Sequence, residues 1–163
     1  MTLLKAVEQT FCKLQAPDLE QLAAALRSLE TSFHEIASYK TEPNQLPYGR
    51  NVIYRNDDVE VIVIHIPAFS ATAIHNHGTS VGAAYLAQGT IVNSKFSLDY
   101  AGYPVVQADD MIKAGEYFTA PPDQIHQLNN PFHEPTVSLH VYSPPLDAVN
   151  RYLPYSEVLD YVI

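Results

Sequence analysis

The chain has 163 residues, enough for one hydrophobic core and a buried site without a second domain. Its 18 acidic and 9 basic residues give a formal net charge of -9, a field that repels nucleic acid and anionic lipid. No stretch approaches the roughly 18 apolar residues that span a bilayer, and the N-terminus lacks a long apolar core before a small-residue cleavage site. The single cysteine, Cys12, permits no internal disulfide. The expectation is a cytoplasmic protein forming one domain over residues 1–163, with neither nucleic acid nor membrane as partner.

Leu3, Leu4, Val7, Phe11 and Leu14 recur at helical spacing, and after Pro17-Asp18 a second set follows at Leu19, Leu22, Ala23, Leu26 and Leu29. Cys12 falls inside the first pattern and is expected to be a buried, inert thiol. A third short helix is predicted over Ser32 to Tyr39, so that residues 1–40 form a helical cap. Glu42 to Pro47 reads as an extended loop. From Asn51 onward short β-branched runs alternate with Gly, Pro and Asn, clearest at Val59 to Ile66. Further strands are predicted near Thr72 to Asn76, Gly82 to Gln88, Thr90 to Leu98, Glu116 to Ala120, Ile125 to Asn129 and Thr136 to Tyr142. Helices followed by closely spaced strands imply a β-sandwich or barrel with a helical cap.

His75 and His77 lie two residues apart in a predicted strand, so both imidazoles project from one face and can reach one ion. Alone, that pair more often describes surface or hydrogen-bonded core histidines than a metal site. Its context is more specific, because Gly82 follows after four residues and Gly89 after six more. That frame resembles the first cupin motif, with Phe69 at its first glycine and Gly82 at its acidic position. The second cupin motif is matched by Gly115, Pro121, Asp123 where glycine is usual, His126 and Asn130. Together the motifs mark His75, His77 and His126 as metal ligands. They imply a mainly β fold class, a cupin or jelly-roll-like β-barrel over residues 48–145 with N-terminal α-helices. Three neutral imidazoles leave a divalent metal its full charge, which favours an anionic ligand such as a thiolate. The same donors also accept zinc, manganese, nickel or copper.

Four segments resemble the cysteine dioxygenases: Tyr48-Gly49-Arg50-Asn51, Ile74-His75-Asn76-His77, His126, and Ser138-Leu139-His140-Val141-Tyr142-Ser143-Pro144-Pro145. The resemblance implies one Fe(II) per chain on His75, His77 and His126, with L-cysteine and dioxygen as substrates and cysteine sulfinic acid as product. It also implies a place in cysteine catabolism and in taurine and sulfur metabolism. Arg50 would take the substrate carboxylate, a role suited to the planar guanidinium fork, and Tyr48 would brace the pocket. Ser138, His140 and Tyr142 alternate with Val137, Leu139 and Val141, giving the strand one polar and one apolar face. By the resemblance, that polar face is a catalytic relay ending at the Tyr142 hydroxyl, and Ser143-Pro144 is a cis peptide bond. The mammalian enzymes carry, at the position of Gly82, a cysteine joined by a thioether to the tyrosine matching Tyr142. Glycine there points to a bacterial-type enzyme with a free phenol.

A dioxygenase for another small thiol, such as 3-mercaptopropionate or cysteamine, shares the metal chemistry. Enzymes acting on 3-mercaptopropionate place glutamine where this chain has Arg50, which favours cysteine. A non-catalytic metal-binding cupin would explain the three histidines but neither the Arg50 segment nor the Ser138 to Pro145 segment. The oligomeric state stays open.

Overall fold

The computed structural model describes residues 1–162; Ile163, the last residue of the expected domain, lies outside them. Helix α1 (Leu3–Phe11) begins where the Thr2 side chain accepts from the Lys5 N–H, and α2 (Leu19–Arg27) begins in a reciprocal Asp18–Gln21 capping box. The third helical segment, Glu30–Tyr39, is 3-10 and starts earlier than predicted. Phe33, Ile36 and Tyr39 all pack inward, and their three-residue spacing suits the tighter helix.

Leu3, Val7, Phe11, Leu22, Leu26 and Ile36 form one apolar cluster with Val61, Val63, Val137, Leu139 and Val141. The helices therefore cover one face of a sheet. Cys12 departs from the expectation: it is exposed. The buried stripe of α1 runs through Leu3, Val7 and Phe11, and a residue one step beyond Phe11 turns about 100° away from it.

The first sheet has the order β1 (Gly49–Arg55), β2 (Glu60–Ile66), β10 (Thr136–Ser143), β5 (Val81–Gln88), β8 (Tyr117–Ala120). The second runs β11 (Arg151–Tyr152), β4 (Ile74–His75), β9 (Ile125–Asn130), β6 (Thr90–Leu98), β7 (Pro104–Lys113), with β3 (Ser70–Ala71) also paired to β9. Helix α3 (Tyr155–Val162) ends the described chain. The strand predicted over Thr72 to Asn76 is shorter, β4 alone, with β3 just before it, and β7, β11 and α3 lie outside the expected strands and helices. Among the described residues no helix is long and apolar enough to cross a membrane.

Two strands position the site. On β10, Ser138, His140 and Tyr142 stand opposite Ile64, Ile62 and Glu60 of β2, and Tyr142 also stands opposite Gly82 of β5. These side chains face the second sheet, while Val137, Leu139 and Val141 face the helices. Phe69 and Asp123, at the two cupin glycine positions, both adopt left-handed backbone, with φ of 57° and 64°. The Ser143–Pro144 peptide bond is cis.

Candidate metal centre

His75 ends β4 and faces His126 of β9 in register, and His77 follows two residues on. One ligand nitrogen from each lies within 4.8 Å of the others. The His75 Nδ1–H donates to the Ala73 carbonyl at 2.7 Å, and the His126 Nδ1–H donates to Asn93 Oδ1 at 2.9 Å. Fixing the proton on Nδ1 leaves each Nε2 with a free lone pair, the state in which imidazole ligates a metal. His126 Nε2 and His77 Nε2 converge to 3.1 Å.

Burial pushes all three imidazoles down in pKa. His77 falls to about 4, helped by the neighbouring His75, and His126 falls well below 6.5. His75 is lowered by burial, opposed by its bond to Ala73. All three are neutral near pH 7, as metal binding requires. Converging lone pairs on neutral rings fit a divalent transition metal. No acidic residue joins the group among the described residues.

Beside it lies a buried polar chain. Tyr142 Oη is 3.2 Å from His140 Nδ1, and His140 Nε2 is 2.8 Å from Ser138 Oγ. Burial, reinforced by His77, His75 and Arg50, holds His140 down to about 3, and burial raises the Tyr142 phenol above its ordinary value. All three members are neutral, so one nitrogen of His140 donates and the other accepts, and its tautomer sets the direction of the whole chain. The Tyr142 and His77 rings lie 5.2 Å apart. A Cβ on Gly82 would come within 2.6 Å of Tyr142 Cε1, so glycine provides the space that the phenol ring occupies.

One cleft of about 840 Å³ joins these parts, lined by the three converging histidines, His140 and Tyr142, and by Tyr48 and Arg50. Ser138 sits behind His140. Arg50 Nη2 lies 3.3 Å from Glu60 Oε1. Burial raises the Tyr48 phenol, opposed by the positive charges of Arg50 and Arg151. His65 takes no part: it is buried with Nδ1 3.1 Å from the Thr136 carbonyl.

Sequence reasoning missed four contributors. Asn93 fixes His126 but lies 33 positions away. Asn76 ties the loop between His75 and His77 to the tail: its N–H donates to the Asn150 carbonyl, its Oδ1 accepts from Asn150 N–H, and its Nδ2 reaches Tyr152 Oη at 3.2 Å. Arg151, opposite His75 on β11, lines the cleft. Glu60 left a signal, as a lone charge at the head of an apolar strand.

Two sheets enclosing three convergent imidazoles define a cupin with a three-histidine group that could hold a metal ion. Solved structures share the fold. A Klebsiella pneumoniae protein with a double-stranded β-helix domain is 20% identical with a TM-score of 0.61, covering 72% of this chain and 94% of that one. An RmlC-like cupin from Shewanella frigidimarina is 16% identical with a TM-score of 0.52, covering 66% and 86%. More narrowly, residues 2–154 match the sequence model of the family Cysteine dioxygenase type I, and the chain belongs to that family. Cysteine dioxygenase type 1 of Rattus norvegicus is 28% identical over 146 residues, 83% of this chain and 70% of that protein. The Bos taurus protein of the same name is 25% identical over 160 residues, 92% and 76%. The chain is thus a cysteine dioxygenase-type enzyme.

Proposed function

We propose that this chain oxidises L-cysteine with dioxygen to cysteine sulfinic acid, using ferrous iron held by His75, His77 and His126. The observation that carries this reading is the meeting, in one cleft, of three neutral imidazoles with the Arg50 guanidinium and the buried Tyr142 phenol. Family membership supports it.

When bound, ferrous iron supplies a redox-active centre at which a thiolate and dioxygen meet. Three neutral ligands leave its charge available to the thiolate. Arg50 takes the substrate carboxylate through N–H groups that Glu60 does not use, and Tyr48 braces the same wall. Tyr142 keeps its proton at neutral pH because burial raises its pKa, so its hydroxyl acts as a donor. His140 and Ser138 hold that hydroxyl and provide a neutral path along which a proton can shift. The net reaction adds both atoms of dioxygen to sulfur, and the thiol becomes a sulfinic acid.

The test is anaerobic loading with ferrous iron, then oxygen uptake and product identification with L-cysteine, 3-mercaptopropionate and cysteamine. The expected result is cysteine sulfinate with the highest kcat/KM on L-cysteine. Higher efficiency on either other thiol would reassign the substrate, and absence of any sulfinate would overturn the reading.

A further inference from the structure

Glu60 is 1% exposed, in a strand whose seven residues are all buried. A carboxylate taken this far from water needs partners for both oxygens. Oε1 lies 3.3 Å from Arg50 Nη2 and 3.5 Å from Arg55 Nη1, and Oε2 accepts from the Leu146 N–H at 3.0 Å. The strand register sets Arg55 directly beside Glu60, while Arg50 reaches it along the strand. Glu60 stands opposite Arg55 on β1 and opposite Tyr142 on β10, and Arg50 sits further along β1 opposite Ile64.

Two guanidiniums share one carboxylate, so the trio keeps a net positive charge. Arg50 gives Glu60 a contact at Nη2, and its other N–H donors make no side-chain hydrogen bond among the described residues, leaving them for another anion. Its side chain is only 33% exposed and lines the cleft that holds the three histidines. Without Glu60, this long side chain would have rotamers leading away from the cleft. Leu146, held by the other oxygen, lines the same cleft at the start of the tail that carries Arg151.

We propose that Glu60 is a positioning residue for substrate: it sets Arg50's guanidinium at the cleft wall, oriented to receive the substrate carboxylate, and anchors the tail segment beside it. The proposal rests on the reading of Arg50 as the carboxylate-binding group.

The experiment is anaerobic calorimetric titration of the ferrous protein with L-cysteine and with cysteamine, which has the thiol and amine but no carboxylate. It compares the natural chain with Glu60→Gln, Glu60→Asp, Arg50→Gln and the Arg50→Gln/Glu60→Gln double variant. Glu60→Gln is expected to weaken L-cysteine binding about tenfold while changing cysteamine less than about twofold. Glu60→Asp keeps the charge and draws it back by one methylene; the same selective loss is expected, smaller, and it serves if Glu60→Gln does not fold. The double variant should bind L-cysteine no worse than Arg50→Gln, because both changes break one linked contact.

Equal losses on both thiols, losses that multiply in the double variant, or tighter L-cysteine binding by Glu60→Gln would overturn the proposal, the last by showing that Glu60 competes with substrate. Failure of both Glu60 variants to fold would also overturn it, assigning Glu60 to structure alone. An unselective Arg50→Gln would remove the reading of Arg50 and this proposal together. A selective Arg50→Gln beside unselective Glu60 variants would remove only this one.

Discussion

Strand β10 separates two cores of opposite character, although all eight of its residues are buried. Toward the helices it presents Val137, Leu139 and Val141, part of a cluster built from aliphatic and aromatic side chains. Toward the second sheet it presents Ser138, His140 and Tyr142, joined in a hydrogen-bonded chain beside three more histidines. Burial is equal on the two faces, and chemistry is not. An apolar core stabilises by removing surface from water, whereas a buried polar cluster starts from a desolvation penalty that hydrogen bonds largely offset. The outer face thus holds the fold together, and the inner face gives up hydrophobic gain to create neutral imidazoles and a protonated phenol. A change on either face should therefore fail in a different way.

The largest effect is expected from His126→Ala. Removing one of three ligands should leave a folded chain with little bound metal and oxygen uptake reduced by roughly a thousandfold or more, since metal affinity depends on ligand number. Metal content by elemental analysis and oxygen consumption check it. Near-normal metal content in this variant would show that the centre lies elsewhere.

Leu139→Ala, one residue from His140 and fully buried, should do the reverse. Truncating a core leucine costs about 3 kcal/mol through lost burial and the cavity left behind, visible as a lower denaturant midpoint. Metal content per folded chain should stay unchanged. A loss of metal well below the unfolding transition would mean that the two faces are not separable.

Acid distinguishes the faces without mutation. Burial holds His140 at about 3 instead of 6.5, so on acidification the unfolded chain takes up this proton first. Its contribution to stability is fully present above about pH 6.5 and is lost as pH falls toward 3. In metal-free protein, His140→Gln should reduce the loss of unfolding free energy between pH 6.5 and pH 5 by about 2 kcal/mol. Leu139→Ala should lower the curve without changing its slope. A slope unaffected by His140→Gln would mean that this imidazole is not held neutral.

The two faces were also unequally legible in the sequence. The outer face is an arithmetic of spacing: Leu3, Val7 and Phe11, or Val137, Leu139 and Val141, announce their side by period alone. That arithmetic misled at Cys12, where one residue of rotation turns a position in an apolar stretch to the surface. It was silent on β7, an edge strand whose residues are mostly exposed and show no alternation. The three histidines were legible because the cupin frames fix their spacing. Their supports were not, since Asn93 reaches His126 only through the pairing of β6 with β9, and Asn76 is held by the Asn150 backbone and the Tyr152 hydroxyl of the tail, 74 and 76 residues on. Such contacts leave no periodic trace.

The smallest expected effect lies at the edge of the inner face, where a cupin glycine position is filled by Asp123. Its φ of 64° belongs to the left-handed region, which costs a residue with a Cβ about 1 kcal/mol relative to glycine. Aspartate tolerates that region better than most, and glycine gives part of the gain back by loosening the unfolded chain. The side chain is exposed, so its removal opens no cavity, and the turn sits three residues before His126. Asp123→Gly should therefore raise stability by at most about 1 kcal/mol in thermal unfolding and leave metal content unchanged. If stability falls instead, the Asp123 side chain holds this turn, and the approach to His126 depends on a contact that the backbone angle alone does not reveal.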